Sequence, residues 1–146
     1  MGKICWGRVF LGGLLAGVVA NVLGWGAWYL FLESAWRSAM QELGRPFQEA
    51  TGLQVFGLIV WGFVAGILAV WLYAAIRPRY GPGPKTALGA GVAFWLLNGL
   101  LPTADEALFE SFPVLRALTI DTVTWLVVIV VATLVGAWIY KEAAAT

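Results

Sequence analysis

The chain has 146 residues, 61% of them hydrophobic and 12% charged, with a formal net charge of +1 and a mean hydropathy of +0.84. So few charges cannot cover a soluble domain of this size, and the composition points to an integral membrane protein. The absence of histidine and the single cysteine, Cys5, exclude an intrachain disulfide, the usual Cys/His zinc sites and histidine-ligated haem. No basic cluster is large enough for a nucleic-acid footprint.

The first predicted element is an uncharged apolar span at 9–32. It is far longer than the apolar part of a cleavable signal, and no small-x-small site follows it, so it reads as an uncleaved anchor. Gly13 and Gly17 lie four residues apart, and Asn21 continues their stripe toward Gly24. Small residues at this spacing let helix backbones approach closely in lipid, where apolar side chains gain nothing by leaving the hydrocarbon. Segment 34–47 carries Trp36, Met40, Leu43 and Phe47 at helical spacing and predicts a short amphipathic helix on the outer leaflet.

The second span, 53–76, begins with the polar Gln54 and carries Gly62 and Gly66, again four apart. The basic loop RPRYGPGPK follows, where Pro78, Pro82 and Pro84 are expected to end one helix and delay the next. The third span, 86–103, holds Gly89 and Ala93 and then Asn98. Segment 104–112 is predicted as a second amphipathic outer element, with Thr103 and Glu106 fitting a capping box and Leu108, Phe109 and Phe112 supplying apolar contact. The fourth span, 120–140, opens on Asp121 at the membrane edge and carries Ala132 and Gly136. Four runs of about this length each suffice to cross a bilayer as helices. The expected fold is therefore all-α, a single-domain transmembrane four-helix bundle.

Lys3, Arg8, Arg77, Arg79, Lys85 and Lys141 fall on the side of the termini and the second loop, against Arg37, Arg45 and Arg116 on the other. The excess places both termini in the cytoplasm. The acids segregate the opposite way, with Glu142 alone on the cytoplasmic side.

A shift of 77 residues lays the first span on the third, bringing Asn21 onto Asn98 and Gly12 onto Gly89. A shift of 67 lays the second on the fourth, AVWLY on GAWIY and Gln54 on Asp121. The pattern suggests a duplicated helix hairpin with an approximate two-fold axis along the membrane normal. Asn21 and Asn98 would sit at similar mid-bilayer depth. Two readings follow: the amides hydrogen-bond across a helix interface, or they line a polar path for an ion or solute. The first is favoured.

The stretch LGWGAWYLFLESAWRSAMQELG resembles a family of small bacterial inner-membrane proteins of unknown function. A tryptophan–tyrosine pair closes the first helix of that family, and an Ala-Trp and a glycine follow in the next loop. Here these are Ala27, Trp28, Tyr29, Ala35, Trp36 and Gly44, with Gly24 and Gly26 nearby. The resemblance covers the first third of the chain. It implies four helices in a bacterial inner membrane and supplies no activity.

No nucleophile–base pair, phosphate loop or buried acid pair is present, so no enzyme and no cofactor or metal set is expected. Asp105, Glu106 and Glu110 read as a solvated acidic rim. Two functions remain. One is a non-catalytic accessory or structural subunit, packed in the bilayer against other membrane subunits or a like copy. The alternative is a small oligomeric transporter or channel with Asp121 as its coupling acid.

Overall fold

The computed structural model describes residues 4–140; Lys3, Lys141 and Glu142, counted above for orientation, lie outside them. Four helices make up nearly all of the described chain: α1 Trp6–Glu42, α2 Gly52–Tyr80, α3 Pro84–Ala107 and α4 Phe112–Ile139. Each is long and apolar enough to cross a membrane, and the described residues include no strand.

The helix ends follow from local chemistry. Thr51 and Gln54 form a capping box at the start of α2: the Gln54 carbonyl oxygen accepts the Thr51 N–H at 2.8 Å, and the Thr51 hydroxyl accepts the Gln54 N–H at 3.4 Å. Pro78 does not end α2, because it falls in the last turn, where only one intrahelical bond is lost. Gly81 ends the helix instead, at φ +83, a conformation that glycine adopts without strain. The Thr86 hydroxyl donates to the Gly81 carbonyl at 2.8 Å and staples the turn. Pro84 starts α3 at a position that needs no amide donor.

Two helices contain a wide turn with i to i+5 bonding, Trp28–Leu32 in α1 and Leu96–Leu100 in α3. The second has a visible cause. Pro102 has no N–H for the Asn98 carbonyl four residues back, and its ring crowds that carbonyl. A wide turn relieves the conflict without breaking the helix. No proline accompanies the first, which seats Leu32, the largest fully buried side chain.

Both predicted outer segments begin as helix extensions, 34–42 of α1 and 104–107 of α3. Residues 34–42 continue α1 and pack on the start of α4, with Ala39 buried and Glu42 within 3.6 Å of Arg116. Only 43–47 leave the helix, through Gly44 at φ +63. Thr103 lies within α3 rather than at a cap, and Leu108, Phe109 and Phe112 are all strongly exposed. Nothing helix-breaking stands between Leu32 and Gly44, so α1 simply runs on past its apolar stretch.

In the bundle α1 packs on α2 and α4, α3 packs on α4 and α2, and α2 meets α4 across the middle. Helices α1 and α3 occupy opposite corners and do not touch. An axis that exchanges α1 with α3 and α2 with α4 gives this arrangement. The core is built from small residues, among them Ala16, Ala20, Ala74, Ala87, Ala90 and Ala132. Large apolar side chains such as Leu30, Leu53, Phe56 and Trp138 point outward. That inversion of a soluble core suits a lipid surround, where close backbone packing rather than burial of bulk holds helices together.

Candidate functional site

The tightest seam runs between α1 and α2. Gly66 enters the space between Gly13 and Gly17: a Cβ on it would stand 2.6 Å from the Gly13 oxygen and 2.5 Å from the Gly17 nitrogen. Gly13 in turn abuts the Ile67 backbone, and Gly17 abuts Phe63. The four-residue spacing on each helix therefore produces two ridges that interlock backbone against backbone.

Asn21 ends this seam. Its Nδ2 donates to the Gly17 carbonyl of its own helix at 2.9 Å and across the interface to the Ile59 carbonyl at 3.2 Å. A helical carbonyl has a second lone pair, so Ile59 can accept without giving up its helix bond. Gly62 makes the approach possible, since a Cβ there would lie 2.5 Å from the Asn21 amide nitrogen. Gly13, Gly17, Asn21, Gly62 and Gly66 thus form one continuous contact.

Asn98 is not the partner of Asn21. The two stand on the helices at opposite corners. Ala87, Gly91 and Phe94 do face inward, as their stripe requires, but the wide turn begins at Leu96 and carries Asn98 off that face. Asn98 is exposed, and its Nδ2 donates only to Phe94 of its own helix, at 3.2 Å. The link from α3 to α4 is made by Trp95, whose indole N–H donates to the Thr122 carbonyl at 3.0 Å. Gly99 leaves room for the ring, since a Cβ there would sit 2.8 Å from Trp95 Cδ1. Each hairpin is therefore tied by a side-chain N–H donated to a backbone carbonyl, displaced by about one turn between the two halves.

At the end that carries the α2–α3 turn, the two halves correspond closely. Tyr73 and Tyr140 are both buried and meet edge to face, with ring centroids 6.0 Å apart. The Tyr73 hydroxyl accepts the N–H of Gly83, the residue capping α3, at 3.4 Å. The Tyr140 hydroxyl accepts the N–H of Cys5, the residue capping α1, also at 3.4 Å. The two contacts match: each tyrosine hydroxyl accepts the N–H of a residue that caps a helix. The Arg77 guanidinium lies 5.5 Å from the Tyr140 ring centroid.

The remaining polar residues named from the sequence lie elsewhere. Gln54 is exposed and engaged in its capping box at the start of α2. Asp121 is half-buried in the half of α4 nearer the α3–α4 turn, beside the Trp125 indole and with Glu106 nearby; the Trp125 ring packs on Gly24 of α1. Among the described residues no group of three or more histidine, cysteine or acidic side chains is placed to hold a metal ion. Toward the opposite end, α1 and α4 close on each other at Gly12 and Gly136, where a Cβ on either would lie 2.6 Å from the other's carbonyl oxygen. The hollow beside the α1–α2 turn, about 390 Å³ and lined by Trp36, Met40, Arg45, Pro46, Phe47 and Gln48, is open to the surface. What this architecture provides is interlocked packing. Compared with family models, curated proteins and solved structures, the chain has no significant match.

Proposed function

We propose that the protein is a non-catalytic accessory subunit of a bacterial inner membrane, assembling with a like copy or with other membrane subunits. The observation that carries this reading is Asn98. A carboxamide on the outward face of α3, within the apolar part of that helix, leaves its oxygen and one amide hydrogen without a partner among the described residues. Polar groups at that depth normally find a partner in the bundle or in a neighbouring helix. An amide is both donor and acceptor, so the same residue of a second copy suits it. The closed glycine seams support packing over passage, and Asn21 is occupied in holding α1 to α2.

Purification in mild detergent is expected to give a particle larger than the 15.8 kDa chain, or one that retains foreign subunits. Asn98→Leu should shift it toward the monomer without lowering helicity. A strict monomer indifferent to Asn98→Leu would sink the reading. So would liposomes that pass an ion in a manner abolished by Asp121→Asn.

The orientation belongs to the same proposal. The residue capping α1, the α2–α3 turn and Tyr140 share one end of the bundle, and the basic residues of that end support a cytoplasmic orientation for it. With Cys5 replaced by serine, a cysteine at exposed Pro82 is expected to resist an impermeant thiol reagent in intact cells, and one at exposed Gln48 to react. The reverse pattern would invert the topology.

A further inference from the structure

The last turn of α2 and the first turns of α3 enclose an open groove of about 460 Å³, lined by Ile76, Tyr80, Lys85, Thr86, Gly89 and Ala93. Lys85, Gly89 and Ala93 succeed one another at four-residue spacing, so they form one line down α3, about 12 Å long. A cation stands at the mouth, and the line of α3 below it carries nothing larger than a methyl group. A Cβ on Gly89 would meet no atom within 4 Å. This pair of small residues therefore faces a trough that the chain leaves unfilled, unlike the pairs of the α1–α2 seam.

The chemistry of the groove is graded. Thr86 is engaged, its hydroxyl donating to Gly81, and Tyr80 is exposed at the rim. Lys85 has no ion pair among the described residues. At this end the described charges are Arg8, Arg77, Arg79 and Lys85, while Glu33, Glu42, Glu49, Asp105, Glu106, Glu110 and Asp121 all lie toward the other. An occupant must then be anionic at the mouth and apolar below it. A second copy in the same orientation would bring its own basic end against Lys85, like charge against like. A phospholipid brings a phosphate.

We propose that this groove holds one anionic glycerophospholipid, its phosphate against the Lys85 ammonium and an acyl chain lying over Gly89 and Ala93. The site is separate from the assembly face at Asn98, and neither depends on the other. Basic pockets between membrane helices on the cytoplasmic side hold lipid headgroups by this kind of contact.

The test is native mass spectrometry of the detergent-solubilised protein with equal amounts of phosphatidylglycerol and phosphatidylcholine. One phosphatidylglycerol is expected to be retained in preference, by about five-fold for a single near-surface lysine contact. Lys85→Gln should abolish the preference. Gly89→Leu keeps the charge but fills the trough, and should remove the adduct of either lipid. A site for free phosphate would survive Gly89→Leu. Both side chains face open space, so circular dichroism should show unchanged helicity in each variant. Selectivity untouched by Lys85→Gln, or adducts untouched by Gly89→Leu, would overturn the proposal. So would a dimer that dissociates in Gly89→Leu, since the groove would then seat protein.

Discussion

Gly66→Val is expected to unfold the bundle more readily than any other single change in the α1–α2 seam. The first added carbon would lie 2.5 Å from the Gly17 nitrogen and 2.6 Å from the Gly13 oxygen. Both are backbone atoms, which no rotamer change can move aside, so the helices must part. Separation stretches the Asn21–Ile59 hydrogen bond as well, because Asn21 reaches across the same contact. Overpacking of a tight interior costs about 1–3 kcal/mol, and the upper end applies here because whole helices must shift. Gly57→Val is the control. It lies on the same helix and makes the same chemical change, but a Cβ there has no atom within 4 Å. Both variants exchange glycine for a better helix former, so their difference isolates the seam. In mixed micelles titrated with a denaturing detergent and followed by helicity, Gly66→Val should unfold well before the parent and Gly57→Val with it or later. Coincident midpoints for the two valine variants would show that the glycine ridges do not hold α1 to α2.

Much of this seam was legible in the sequence, and the reason is geometric. Gly13 with Gly17 and Gly62 with Gly66 each fall one helical turn apart, and straight helical segments carry that spacing directly into a face. The same regularity made the 67-residue correspondence readable, and it places Tyr73 and Tyr140 in equivalent surroundings. Asn21 was recognisable as a packing residue, although its acceptor, a backbone carbonyl, has no sequence signature.

The misreadings occur where regularity fails. Regular helical spacing would carry Asn98 onto the face of Ala87, Gly91 and Phe94, and those three do lie inside. Pro102, four residues beyond Asn98, was the available signal: it removes the donor for that carbonyl and induces the wide turn. The role of Gln54 is signalled by Thr51 three residues before it, which spells a capping box. At 34–42 and 104–107 a change in polarity does not mark a change in structure. A helix ends where the backbone must change direction, and the polarity of its surface does not require that.

The tyrosine pair gives the second large effect. Tyr73→Ala and Tyr140→Ala each remove a buried ring, the edge-to-face contact and the acceptor for one helix-capping N–H. Removing a buried aromatic side chain costs about 3–5 kcal/mol in soluble cores. Close to the lipid interface, where less of the transfer free energy is lost, about 2–3 kcal/mol is expected, still a large share of a small bundle's stability. The double alanine variant should cost less than the two singles added, because the ring–ring contact can be lost only once. A coupling of about 0.5–1.5 kcal/mol is the usual size for such a pair. The phenylalanine variants separate the hydroxyls from the rings. Each keeps the edge contact and loses one hydrogen bond, at about 1 kcal/mol. Because each hydroxyl meets the cap of a different helix in the same way, Tyr73→Phe and Tyr140→Phe should shift the unfolding midpoint by similar amounts. Amide exchange should then quicken locally, at Gly83 in the first and at Cys5 in the second. Additive alanine variants would deny that the rings support each other. Unequal phenylalanine variants, with one cap exchanging no faster than in the parent, would deny that the two halves close this end of the bundle by the same device.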